Sequence, residues 1–226
     1  NFLAVTNMKL ANMQLIREGN ERVLAARLAD AKFFFDEDRK TSLADRVAKQ
    51  LAVTFHQKLG SLHQKTQRVV AMAAHVAGQV GDEALIHECR RAAELSKADL
   101  LTGIVGEFPT LQGMMGGEYA KHDGESATVS VAIREQYLPR AMEGELPESL
   151  AGKVLSLADR LDSIAGFFLV GLVPSGSEDP FALRRHATAI VRILIESRLR
   201  FNLAQAVRAA QEGLASQQVA AAPPTG

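Results

Sequence analysis

Apolar residues recur every three or four positions along most of the chain, the period of a helix that buries one stripe and wets the other. Between about Asn20 and Phe35 the stripe runs Val23, Leu24, Leu28, Ala31, Phe35, with Arg22 and Arg27 off it. The charged run from Asp36 to Lys40 breaks the pattern. Thr41 or Ser42 then stands where an N-cap is wanted for a helix carrying Leu43, Val47, Leu51 and Phe55. Gly60 divides this from a helix with Leu62, Val69, Val70, Ala73 and Val76, and Gly78 and Gly81 mark the next turn. A helix from about Glu83 to Leu101 is interrupted by Gly103, Gly106 and Pro109. A short helix near Leu111 to Tyr119 follows, then a loop at His122 to Glu125 and a helix reaching Leu138. The most regular stripe is Leu150, Val154, Leu157, Leu161, Ile164 and Phe168. A helix burying Phe181, Ile190, Val191, Leu194 and Ile195, and a last one through Leu203 and Val207, complete the series. The pattern predicts an all-α fold of several helices joined by short glycine-bearing turns. A short strand-like opening at Phe2, Ala4 and Val5 reads as the end of a preceding domain, and the Ala/Pro-rich stretch from Ala220 reads as frayed.

Composition narrows the function classes. Apolar residues make up 47% of the 226, enough for a sizeable core. Twenty-six basic residues balance 26 acidic ones, so only a local patch, not the overall charge, argues for nucleic acid. Cys89 is alone, which excludes an internal disulfide and fits a reducing, cytoplasmic setting. No apolar run approaches the ~20 residues that span a bilayer. The chain opens on Asn1, directly in an apolar alternation, and reads as a piece of a longer protein.

Candidate chemistry is sparse. No phosphate-cradling glycine loop follows a strand, and Gly113, Gly116 and Gly117 read as chain reversal and close helix contact. Cys89 reads as a small buried hydrophobe. Asp179 is placed to cap a helix whose first position would suit Pro180. Basic residues offer phosphate contacts: Arg184 and Arg185 near that helix start, Arg192 seven residues after Arg185, and Lys58 and Lys65 at the same spacing across Gly60. The segment from Ala92 to Asp99 resembles the helix bearing the His-Asp doublet of the HD phosphohydrolase superfamily. Leu157-Ala158-Asp159-Arg160-Leu161 resembles the helix bearing its last aspartate, and His63 is placed as its first histidine. Such a site needs imidazoles and carboxylates converging on a divalent cation. Here the doublet reads Ala98-Asp99, a methyl group replaces one ligand, and Lys97 adds positive charge beside it. The expectation is a degenerate site at His63, Ala98, Asp99 and Asp159 that holds no metal.

Several stretches in order resemble a single family. They are Gly19-Asn20-Glu21-Arg22-Val23-Leu24, Phe33-Phe34-Phe35, Lys58-Leu59-Gly60, Lys97-Ala98-Asp99-Leu100, Glu107-Phe108-Pro109, Leu111-Gln112-Gly113, Tyr137-Leu138-Pro139-Arg140 and Asp179-Pro180-Phe181-Ala182-Leu183-Arg184-Arg185. Together they resemble the β subunit of the bacterial two-subunit glycyl-tRNA synthetase. The resemblance implies an HD-like helical domain over residues 19–200. Residues 1–18 would be the end of a preceding domain or a linker, and 201–226 a C-terminal helix and tail. It further implies a non-catalytic, tRNA-binding portion of a glycine–tRNA ligase in a heterotetramer. The partner α subunit would hold ATP and Mg, and this stretch would need no cofactor of its own. Lys58, Lys65, Arg184 and Arg185 are then the expected tRNA contacts. Two alternatives stay open: a metal-dependent phosphohydrolase using His63, Asp99 and Asp159, or a structural spacer.

Overall fold

The computed structural model describes residues 2–7 and 12–219. Ten α-helices account for most of them: α1 (Met13–Asp38), α2 (Leu43–Lys49), α3 (Leu62–Val80), α4 (Glu83–Leu95), α5 (Gly103–Glu107), α6 (Met114–His122), α7 (Ala127–Glu135), α8 (Leu150–Leu169), α9 (Leu183–Glu196) and α10 (Leu203–Ser216). The only sheet among these residues is a hairpin of β1 (Thr54–His56) and β2 (Gly60–Ser61). The all-α expectation holds. The strand-like opening does not: residues 2–7 carry no strand, and Leu3 and Val5 are almost fully exposed. Alternation without a partner strand to complete the ladder fixes no strand. The first helix instead begins at Met13, earlier than its apolar stripe suggests, because Asn12 accepts the amides of Gln14 and Leu15. The tail from Ala220 lies outside the described residues.

Side-chain caps set most boundaries. Ser42, Asp82, Thr102, Ser126, Ser149 and Asn202 each accept an amide of the turn they open, and Ser61 forms a reciprocal capping box with Gln64 at the head of α3. α8 is the central helix and packs against α3, α4, α7, α9 and α10. Its stripe delivers Val154, Leu157 and Leu161 to the main core. Leu150 and Phe168 at its two ends are half-exposed. Val69, Ala73 and Val76 of α3, Cys89 and Ala92 of α4, Ile133 of α7, Ile193 of α9 and Ala206 and Ala210 of α10 fill the same core. A second, smaller cluster joins Leu59, Phe167, Leu183 and Leu214 under the hairpin. Burial pushes the Cys89 thiol up to about 12, which suits an inert core residue.

The glycine pair after Gly113 is a packing device. A Cβ on Gly117 would sit 2.8 Å from the Ser130 carbonyl oxygen of α7, so α6 and α7 approach backbone to backbone there. Neither backbone yields cheaply. Gly117→Ala is expected to destabilise the fold by about 1–3 kcal/mol, the usual cost of overpacking. Equilibrium denaturation measures it, and an unchanged midpoint would show that α6 shifts freely.

Candidate functional site

The polar residues of α8 are the unusual ones. Ser156, Asp159, Arg160, Asp162 and Ser163 are all buried, although a helix stripe this regular assigns them to solvent. They are buried because α8 is covered on every side. Their charges must therefore find partners inside the protein.

Asp159 is the centre of that network. Lys97 Nζ donates to its Oδ2 at 3.1 Å and to Gln136 Oε1 at 2.9 Å. Lys65 Nζ lies 3.0 Å from Asp159 Oδ1, close enough for an ion pair but out of hydrogen-bond alignment. Lys65 also donates to Asp162 Oδ2 and Ser163 Oγ, and Arg68 Nε donates to Asp162 Oδ1 at 2.7 Å. Burial pushes the Asp159 carboxyl up, but the two ammonium groups outweigh it and hold the pKa well below the ordinary carboxylate range. Arg160, on the opposite flank, donates to the carbonyls of Gln136, Tyr137 and Pro139 and to Ser156. Its Nε has no partner.

This arrangement corrects the site read from sequence. The side chains meeting Asp159 are Lys65 and Lys97, not His63 and Asp99. His63 and Lys65 are two residues apart on α3 and so project about 200° apart. His63 lines a different hollow, with His87, Arg90 and Glu94 against α4. Asp99 is fully buried just beyond the end of α4, in a short 3-10 turn, and not on a long helix. Its Oδ2 accepts the Gly113 amide at 2.6 Å, fixing the chain that enters α6, and burial raises its pKa. Ala98 packs in the core. No group of three or more His, Cys, Asp or Glu among the described residues is placed to hold a metal. The donor set does not fit a divalent cation: two ammonium groups already occupy the carboxylate such an ion would need. Among the described residues His63, Asp99 and Asp159 do not come together as one ligand set.

The expected tRNA contacts separate into two kinds. Lys65 is buried, 4% exposed, and spent on Asp159, Asp162 and Ser163, so it presents nothing to an RNA. Its charge was read from spacing alone, which does not say which side of α3 faces α8. Lys58, Arg184 and Arg185 are exposed. Lys58 sits in the hairpin turn, where its Nζ also donates to the Val170 carbonyl at 3.4 Å. The hairpin touches the turn ahead of α9 through a His56–Phe181 edge contact at 5.7 Å. Arg192 is engaged elsewhere. It donates to the carbonyls of Met142 and Gly144 and pairs with Glu196.

The start of α9 also differs from its sequence reading. Asp179 does cap it, accepting the amides of Leu183 and Arg184 at 2.7 and 2.9 Å. The helix nonetheless begins at Leu183, not at Pro180. Residues 179–182 form a turn closed by the Ala182 amide on the Asp179 carbonyl, and Ala182 is left-handed with φ 54°. A residue in that conformation ends any helix begun at Pro180.

Sequence reasoning missed Arg68, Gln136, Arg160 and Asp162 as members of the network. One signal was available: charged residues at 159, 160 and 162 interrupt a helix whose other positions are almost all apolar or small. That composition marks a helix buried all round.

Comparison with known proteins agrees with the family resemblance. The family model described as glycyl-tRNA synthetase beta subunit matches residues 1–223. The chain belongs to the glycyl-tRNA synthetase β-subunit family. It is 49% identical over 211 residues to the glycine–tRNA ligase beta subunit of Janthinobacterium sp. (strain Marseille), covering 93% of this chain and 30% of that protein. It is 49% identical over 213 residues to the Moorella thermoacetica subunit, covering 94% of this chain and 31% of that one. For the Streptococcus equi subsp. zooepidemicus subunit the figures are 53% over 195 residues, 86% and 29%. The chain thus spans about three-tenths of the length of these β-subunit relatives. Among the described residues no helix is long and apolar enough to cross a membrane.

Proposed function

We propose that this chain is a tRNA-gripping, non-catalytic part of a glycine–tRNA ligase β subunit. It holds tRNA(Gly) so that the acceptor end reaches a partner α subunit, which carries ATP, Mg and the aminoacylation chemistry. The observation that supports this most is the exposed basic edge of Arg184 and Arg185, with Lys58 exposed on the hairpin that touches the turn before them, in a chain whose family relatives are named as tRNA ligase subunits. Holding two reactants in register lowers a barrier without an acid or base. The interior charges of this domain are arranged for that passive role: each buried carboxylate of α8 is already neutralised by lysine or arginine.

The test is tRNA(Gly) affinity of the assembled ligase with the Arg184→Ala/Arg185→Ala pair, measured across a range of salt concentrations. Each lost phosphate contact lowers the log–log salt slope by roughly 0.7–0.9. The pair is expected to weaken binding and flatten that slope by about one to two. Unchanged affinity and slope would remove this edge from the grip and leave the domain as a spacer.

A further inference from the structure

A cavity of about 280 Å³ opens between the start of α9 and the segment joining α7 to α8. Arg140, Asp159, Arg160, Ala182, Arg185 and His186 are among the residues that line it. Three observations about its wall point the same way.

The first is a buried cation in the wall. Arg160 is buried and donates only to neutral oxygens, those of Gln136, Tyr137, Pro139 and Ser156. Asp159, the one carboxylate among the lining residues, is already paired with Lys65 and Lys97. A buried charge without a counter-charge is costly, so Arg160 calls for an anion. The second is unspent donors. Arg160 is 6% exposed and lines the cavity with its Nε unpartnered, and the buried His186 Nδ1 is also without a partner. The third is the rim. Arg185 is exposed, lines the same cavity, and makes no side-chain hydrogen bond or ion pair among the described residues. Burial outweighs Asp159, and with the help of Arg160, Lys65 and Lys97 lowers His186 to about 4, so the imidazole is neutral and able to donate from Nδ1.

We propose that this cavity is a binding site for a phosphate group, held by Arg160 Nε and His186 Nδ1 inside and by Arg185 at its mouth; Arg140, also in the wall, is tied to the carbonyls of Thr110 and Gln112. The Arg185 guanidinium presents planar donor pairs that match phosphate oxygens, and an anion offsets the Arg160 charge that no carboxylate pairs. The volume lies just under the ~300 Å³ at which small-molecule pockets begin, so it suits a phosphoryl group and not a whole nucleotide. The site shares Arg185 with the proposed tRNA edge, but binding of inorganic phosphate reads it separately from tRNA affinity, so either reading can fail without the other.

The test is calorimetric titration of the full-length protein with inorganic phosphate and with pyrophosphate, at constant ionic strength, against chloride. One saturable site per chain is expected. Arg185→Gln is expected to weaken it about tenfold or more, the loss of one charge-assisted hydrogen bond. Arg184→Gln, one residue away and outside the cavity wall, is expected to change it less than about twofold. Both arginines are exposed, so neither variant threatens folding. Absence of saturable binding, binding no tighter than chloride, or equal losses in the two variants would overturn the proposal. Competition by a single-stranded RNA lacking a terminal phosphate supports a backbone phosphodiester as the natural occupant, and indifference to that RNA supports a free phosphate.

Discussion

Asp159→Asn lowers the thermal midpoint by roughly 6–20 °C. Asparagine keeps the shape of the side chain but removes the charge that two buried ammonium groups lean on. Lys97 retains only Gln136 as a polar partner and Lys65 retains Asp162 and Ser163. Removing one member of a buried ionic group costs about 3–5 kcal/mol, because the survivors stay buried without compensation. For a domain of this length each kcal/mol moves the midpoint by about 2–4 °C. Adding Lys97→Met to Asp159→Asn recovers part of that loss, since it removes the stranded charge, and a double-mutant cycle shows the coupling. Acid gives a second reading. The folded Asp159 pKa lies below the unfolded value of about 3.9, so its stabilisation is fully present above about pH 4 and is lost as pH falls further. The gap between wild type and Asp159→Asn therefore narrows in denaturation curves taken below pH 4. A gap that is constant from pH 7 to pH 3 would show that Asp159 does not titrate through this network.

Asp38→Ala produces a loss of similar size in a place the sequence disguises. Asp38 ends α1 within a run of five charged residues that breaks the apolar stripe. It is 7% exposed. Its carboxylate accepts the amides of Gly103 and Ile104 at 2.8 and 2.9 Å and the Tyr119 hydroxyl at 3.1 Å, and Arg46 Nη2 lies 3.5 Å away. One side chain thus ties α1 to the start of α5, to α6 and to α2. Alanine leaves three donors and one guanidinium buried without it. The expected cost is about 3–5 kcal/mol. Asp38→Asn retains an acceptor oxygen and is expected to lose less. Chemical denaturation of both variants orders them, and equal losses would mean that charge and not hydrogen bonding is what Asp38 supplies.

The motifs along this chain carried its family, and the spacing of its apolar residues carried its class. Helices α3, α8 and α10 lie where their stripes place them, and the serines, threonines and aspartates ahead of the helices cap them, because both effects are local and depend on neighbours three or four residues away. Gly113 is legible in the same way, since its left-handed backbone is a local property, whereas the Gly117 contact with α7 belongs to the tertiary packing. What spacing left open was which polar residues are buried. Lys65 and Lys58 look alike as text, yet one is locked against Asp159 and the other reaches solvent. His63 and Asp99 look like ligands in text, and the fold turns them to different neighbours. Only the packing of α3 and α7 over α8 decides those fates, since a charge responds to what surrounds it in space and not to its place in the chain. The cavity at the head of α9 is of the same kind. Its wall joins the left-handed Ala182, at the turn before Leu183, to Tyr137, Asp159 and Arg160 from distant parts of the chain.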